Sequence, residues 1–372
     1  MLGHLRFNVE RSRGRRFPEP DHPYRNAFQR DRDRIIHARA FRRLEAKTQV
    51  FTPGLSDHFR NRLTHTIEVS QIARTVASVL GLDEDLTEAL ALVHDIGHPP
   101  FAHAGEDELN RQMQRFNDTF DHNIHALRIV ERLEQRYARF PGLNLTFEVR
   151  EGMVKHSRDF EAGEFAALDE YLPGKRPSLE AQLIDLADEV AYNTADLDDA
   201  FSALLFSAED VARQVPQYAA IYQTVQTQFP GASAREKFHE ILRQLIDVLV
   251  SGLIEGTLCA ARDAAVQQQD EVRECPRRIA SFTPAAQDTA RALKKFLYEN
   301  VYSSPALDEG RVQSMAMMAE LFAFFLDHPE RLPENFRDMV AATPLHRVVC
   351  DYIAGMTDSF FYRTYKQELS RP

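Results

Sequence analysis

The 372-residue chain has no tryptophan and only three cysteines, Cys259, Cys275 and Cys350, which are far apart and form no CxxC pair. That excludes a disulfide scaffold and a thiolate zinc site, and it fits a reducing compartment such as the cytoplasm. No window approaches 18 uncharged apolar residues, so neither a transmembrane helix nor a membrane partner is expected. The basic start, MLGHLRFNVERSRGRRF, lacks the apolar core of a secretion signal. Glycine-rich phosphate loops are missing as well: GxxxxGK[ST], GxGxxG and GxSxG do not occur. Strand-forming runs are scarce, and residues 143–149 (LNLTFEV) are the best of them.

What is present is globular composition, 44% hydrophobic and 27% charged, with an uneven distribution of charge. Residues 1–50 hold 13 Lys/Arg against 6 Asp/Glu, a net +7, so with −11 overall the other 322 residues carry −18. A basic segment on an acidic body suits either a polyanionic partner or an arm pairing with the body of its own or a neighbouring subunit. Helical periodicity dominates the rest. After the acidic turn Asp83-Glu84-Asp85, residues Leu86, Ala89, Leu90 and Val93 line one face. Residues 64–80 run to a stop at Gly81, and Pro177-Ser178 opens a helix through about Phe201. Residues 236–262 and 311–327 share the period, 121–135 more weakly, while 265–276 and 302–310 read as polar connections. The fold class is all-α.

Seven of the 14 histidines fall between His58 and His125, well above an even share. His58 and His125 themselves read as ordinary surface histidines. His94-Asp95 is different: an imidazole and a carboxylate close an apolar helix at a Gly97, Pro99, Pro100 break, where both can reach one cation. His65, opening the preceding helix, is a third ligand candidate. A fourth lies in the 185–199 stretch, where at about 100° per residue Asp185, Asp188, Tyr192, Asp196 and Asp199 fall within about 80° on one face. No Lys or Arg occurs between 177 and 212 to pair with that stripe from within the helix. Beyond the Pro-Pro break, His103 and Glu106 are i, i+3 on a restarted helix, an arrangement in which a carboxylate sets the orientation of an imidazole.

In order along the chain, these residues resemble the H…HD…D signature of HD-superfamily metal phosphohydrolases. The set is similar in particular to the deoxyguanosine triphosphate triphosphohydrolase-like group, bacterial relatives of the mammalian dNTP triphosphohydrolase. The matching stretches are FQRDRDRIIHARAFRRLEAKTQVF (28–51), Arg62-Leu-Thr-His65, HDIGHPPFAHAGE (94–106), Asp121-His-Asn123, Asp188 to Asp196 and Asp351-Tyr-Ile-Ala-Gly-Met-Thr-Asp358.

The resemblance implies an HD-type helical core over 28–205, preceded by a basic arm (1–27) and followed by a helical region packed on the core (206–372). It implies that His65, His94, Asp95 and Asp188 bind one divalent ion, with Mn²⁺ first and Mg²⁺, Fe²⁺, Ni²⁺, Co²⁺ or Zn²⁺ behind it. His103 with Glu106 would be the catalytic pair. Arg62, His98, His122 and Tyr192 would contact a triphosphate. Gln49 and Asp196 would hold a sugar 3′-hydroxyl, with Tyr192 excluding a 2′-hydroxyl. The implied reaction converts a dNTP, dGTP among them, to deoxynucleoside and inorganic triphosphate. It would run in a homo-oligomer, a hexamer or tetramer, with single-stranded DNA or a dNTP as effector. Two other readings remain open from the residues: another HD-type nucleotidase or phosphodiesterase, and a nucleotide- or nucleic-acid-sensing regulator built on the basic segment.

Overall fold

Side-chain caps decide where the site-bearing helices begin. In the computed structural model, which describes residues 1–50 and 59–369, Asn61 caps the Arg62–Leu80 helix in a capping box with Thr64. Asp83 caps Glu84–Val93, Asp121 caps His122–Arg128 and Ser178 caps Leu179–Ser202, each accepting from a backbone N–H of the first turn. Each such cap contributes about 1 kcal/mol. Gly81 ends the first of these helices with φ 80°, a left-handed conformation that costs glycine nothing. The described residues contain no β-strand, only isolated bridges, and the fold is all-α.

The Arg62–Leu80, Glu84–Val93 and Leu179–Ser202 helices pack on one another, burying Val69, Ala73, Val76, Leu90, Val93, Leu183, Ala187 and Val190. This is the centre of the main core. The Ala234–Asp263 helix lies against it and is, among the described residues, the one helix long and apolar enough by composition to cross a membrane. Its Phe238, Leu245, Leu249 and Leu253 are buried in that core. A second core joins Leu109 and Met113 of the Ala102–Gln114 helix to Met318, Leu321, Phe322, Phe325, Val349 and Phe361 of the C-terminal helices.

The basic start lies along its own chain. Leu2, Leu5 and Phe7 enter the main core, Arg6 pairs with Asp83 at 2.8 Å, Arg16 with Glu131 at 3.0 Å, and Arg15 with buried Asp31. Of the two explanations for its charge, pairing with the acidic body is thus the one visible within a single subunit.

Four sequence expectations need correction. Residues 143–149 do not form a strand. Asp31 accepts hydrogen bonds from Thr146 N (2.9 Å) and Oγ1 (2.6 Å), so the short extended piece is tied to a side chain, and the Phe147–Val154 helix starts at once. The 302–310 stretch is not simply a connection, because Pro305 occupies the first position of the Pro305–Asp327 helix, where its missing N–H is harmless. The 265–276 connection holds a short helix, Gln269–Glu274. His125 is no surface histidine: it is 2% exposed and stands 3.4 Å from Asp351, which Arg128, one turn on, also pairs. His58 lies outside the described residues.

Candidate active site

Three helices bring the expected metal ligands together. His65 comes from the first turn of Arg62–Leu80, His94 and Asp95 from the end of Glu84–Val93, and Asp188 from the middle of Leu179–Ser202. His65 Nε2 is 2.8 Å from Asp188 Oδ1. His94 Nδ1 donates to the Ala91 carbonyl at 2.6 Å, which turns Nε2 toward Asp95 Oδ1 (3.8 Å) and Asp188 Oδ1 (3.9 Å). That Nε2 is buried and has no hydrogen-bond partner among the described residues, a state that costs on the order of 1–3 kcal/mol unless something else satisfies it. Two ligands about 2.1 Å from one ion lie at most about 4.2 Å apart, and these separations respect that bound. The His/Asp cluster can therefore hold a divalent ion, which would satisfy the orphaned nitrogen.

The charges around the cluster agree. Burial would raise the Asp188 carboxyl, but the His65 hydrogen bond and the His65, His94 and His156 charges bring it down to about 2. Burial also works against ionised Asp95, yet Arg62, at 2.8 Å from Oδ2, and His98 hold it well below the usual carboxylate range. His94 is lowered, burial outweighing the two carboxylates.

Beside this cluster stand Arg62, His98 and His122. A Cβ on Gly97 would come within 2.0 Å of the His122 carbonyl oxygen, so only glycine lets the His94–Pro100 turn lie this close to the His122–Arg128 helix. The approach stacks the His98 ring on His122 at 3.9 Å. Burial first, then Arg62 and His122, press His98 well below the ordinary imidazole value. Arg62, 2.8 Å from Asp95, is the cation fixed beside it.

The expected His103–Glu106 pair is loose. His103 is 81% exposed and its Nδ1 is 3.7 Å from Glu106 Oε2. Glu106 Oε1 instead takes His122 twice, from Nδ1 at 2.8 Å and from the backbone N–H at 3.0 Å. The helix carrying both residues starts under strain: Phe101 and Ala102 have φ 65° and 54°, and Asp358 Oδ1 accepts from Phe101 N at 3.2 Å.

The expected sugar residues lie apart from one another in their contacts. Asp196 accepts from the Tyr302 hydroxyl, and burial, only partly offset by that bond, pushes its carboxyl up to about 7. Tyr192, half-buried one turn before it, has Lys294 5.8 Å from its ring centre. Among the described residues Gln49 Oε1 is buried without a partner, and no hydrogen bond joins Gln49 to Asp196. Its neighbour Thr48 is fixed by Asp358 Oδ2, and Lys47 is buried with Nζ donating to the His98 and Ala354 carbonyls. The C-terminal Asp358 thus holds both the Gln49 strand of chain and the helix start of His103. Asp199 turns away to Arg60.

Sequence reasoning missed His156, Tyr302 and Arg60. His156 follows the stretch read as a strand, and the other two reach the Leu179–Ser202 helix from distant segments. A cavity of about 420 Å³ lined by Arg39, Arg43, His125, Phe336, Asp351 and Arg363 holds none of the expected site residues. The site is accordingly located by its side-chain chemistry, not by cavity size.

Comparison with known proteins agrees with this geometry. The HD domain family matches residues 62–193, which contain all four expected ligands, and a phosphohydrolase-associated domain matches 280–367. A deoxyguanosinetriphosphate triphosphohydrolase-like protein of Geobacter sulfurreducens is 42% identical over 357 residues, covering 96% of this chain and 92% of the relative. Those of Ralstonia nicotianae and Bordetella pertussis are 44% and 45% identical, over 97% and 96% of this chain and 92% and 93% of their own lengths. At such identity over nearly the whole length, the chain belongs to the deoxyguanosinetriphosphate triphosphohydrolase-like family, and it is a hydrolase of the HD-domain phosphohydrolase type.

Proposed function

We propose that this protein hydrolyses deoxynucleoside triphosphates, dGTP among them, to deoxynucleoside and inorganic triphosphate, using one divalent ion held by His65, His94, Asp95 and Asp188. The observation that carries the reading is the buried, partnerless His94 Nε2 between two carboxylates, with Arg62 and two stacked imidazoles alongside. Two nitrogen and two oxygen donors suit Mn²⁺, Fe²⁺, Co²⁺, Ni²⁺ or Zn²⁺ better than Mg²⁺, and Mn²⁺ is our first choice. When bound, such an ion polarises a phosphate oxygen and lowers the pKa of coordinated water.

The chain's own residues supply the rest. Arg62, fixed by Asp95, presents a permanent positive charge to the phosphates. His122, oriented through Nδ1 by Glu106, would turn Nε2 to a phosphate oxygen, with His98 stacked on it. Exposed His103 has the freedom to protonate the leaving 5′-oxygen or to assist the attacking water. Asp196 and Gln49 accept and donate at the 3′-hydroxyl, and Tyr192 closes the sugar face. We extend the reading to a cytoplasmic homo-oligomer, hexamer or tetramer, with a dNTP or single-stranded DNA as effector. Light scattering at micromolar concentration tests the assembly, and a monomeric mass would overturn it.

The test of the reaction is product analysis with each of the four dNTPs, singly and mixed, with Mn²⁺ and with Mg²⁺. Triphosphate and deoxynucleoside in equal amounts are expected. Orthophosphate as the inorganic product would transfer the protein to the nucleotidases or phosphodiesterases of the same superfamily.

A further inference from the structure

His156 sits just past the Phe147–Val154 helix, 6% exposed, and none of the roles above uses it. We infer that His156 is a third imidazole donor to the divalent ion, positioned by Asp185 and Arg278. This rests on the metal reading of the preceding section and adds to it a fifth protein ligand.

The argument begins with the two ring nitrogens, which face different surroundings. His156 Nδ1 stands 2.6 Å from Asp185 Oδ1. Asp185 is itself held: Ser157 N donates to Oδ1 at 3.0 Å, and Arg278 pairs with Oδ2. Arg278 is anchored in turn on the Lys155 carbonyl (2.6 Å) and on Asp159 (3.1 Å). A carboxylate this close favours the proton on Nδ1, although the contact is not aligned as a hydrogen bond, and Nε2 then faces the other way. Metal-bound histidines are commonly arranged like this, with the second nitrogen on a carboxylate. His156 Nε2 points to the cluster, 4.0 Å from Asp188 Oδ2, and its ring centre is 5.2 Å from that of His94. At 4.0 Å it makes no hydrogen bond to Asp188. That distance is, however, within the roughly 4.2 Å that separates two ligands of one ion. His94, His156 and Asp188 offer donor atoms that all lie within 4.8 Å of one another, as do those of His65, His94 and Asp95. The two groups share His94, so one ion can serve both.

The chemical consequence is a coordination number. Four protein ligands leave a tetrahedral ion no open position, whereas five around an octahedral ion leave one for water or a phosphate oxygen. A centre of three imidazoles and two carboxylates therefore favours six-coordinate Mn²⁺, Fe²⁺, Co²⁺ or Ni²⁺ over Zn²⁺.

The test is titration of the metal-free full chain with Co²⁺, reading affinity, stoichiometry and the visible absorption of the bound ion. Wild type should bind one Co²⁺ per chain with the weak visible band of a six-coordinate ion. His156→Ala should weaken binding by 10-fold or more and intensify the band as the coordination number falls. Asp185→Asn should weaken binding in the same direction by a smaller factor. His156→Gln, which keeps the volume and a donor toward Asp185, guards against misfolding and should bind as weakly as His156→Ala while matching wild type in far-ultraviolet dichroism. Wild-type affinity and spectrum in both His156 variants would overturn the inference, and so would two ions per wild-type chain. Asp188→Ala separates the two levels. If it loses the ion while the His156 variants keep it, only the fifth ligand is wrong. If it binds Co²⁺ normally, the metal reading itself fails.

Discussion

Replacing Asp196 with asparagine removes a carboxyl group that burial holds at about 7, against an ordinary value of 3.8. Between those two pH values the folded protein keeps a proton that the unfolded chain has released. The wild type therefore loses stability relative to Asp196→Asn as pH rises through the window from about 4 to 7, and the difference levels off above about pH 8. With each unit of displacement equivalent to about 1.4 kcal/mol, the loss between pH 5 and pH 8 comes to about 2–3 kcal/mol. Tyr302 adds a second handle, because its hydroxyl donates to the carboxylate. A hydrogen bond to a charged group is worth roughly 1.5–3 kcal/mol, so Tyr302→Phe should move the upper end of the window up by about one to two pH units. Urea denaturation of wild type, Asp196→Asn and Tyr302→Phe at half-unit steps from pH 5 to 9 measures both effects. A wild-type-minus-asparagine difference that stays constant across that range would refute the reasoning, since it would mean that Asp196 titrates as an exposed carboxylate does.

Three further outcomes are expected. His103→Ala should keep its metal and dNTP affinity while turnover falls by roughly 10²–10⁴, the range for a lost general acid or base; retention of most of the turnover number in a single-turnover assay would remove His103 from the chemistry. Asp358→Ala strips acceptors from Thr48 N, Thr48 Oγ1 and Phe101 N, and at about 1–3 kcal/mol for each buried group left unsatisfied it should lower the thermal midpoint by several degrees, read by calorimetry. A dideoxynucleotide would leave Gln49 unpaired and Asp196 with Tyr302 alone, so kcat/KM should drop by a factor corresponding to about 1–3 kcal/mol; equal turnover of dideoxy and deoxy substrates would rule out the 3′-hydroxyl assignment.

Local signals made much of the site legible. Asp83 and Ser178 mark helix starts, and His94-Asp95 announces itself because two polar groups close an apolar helix before a Pro-Pro break. The aspartate stripe at helical spacing likewise held Asp188 and Asp196, which the family resemblance then singled out. Contacts between segments were harder to see. The i, i+3 spacing pairs Glu106 with His103 on paper, but its tighter partner is His122, brought in by the close approach at Gly97. Tyr302 reaches Asp196 across 106 positions, and no periodicity encodes that. His125 and Asp351 form their buried pair across the boundary between the two cores, so a solitary histidine on a weakly periodic helix gave no sign of it. His156 was hidden differently: the β-branched and aromatic residues before it suggested a strand, which obscured the helix that delivers it.

The Ala102–Gln114 helix has a foot in each half of the molecule. Leu109 and Met113 belong to the C-terminal core, whereas His103 and Glu106 stand beside the metal-ligand cluster, whose own residues all rest on the main core. Damage in the two halves should therefore leave different biochemical fingerprints. A defect in the main core, such as Leu183→Ala, disturbs the helix that carries Asp188 and should lower metal content and turnover together. A defect in the C-terminal core, such as Phe322→Ala, removes packing from beneath the His103 helix and should produce protein that is fully loaded with metal yet slow. A collection of impaired variants sorted by metal content alone would thus separate by which hydrophobic cluster was hit, even where no altered residue touches the substrate.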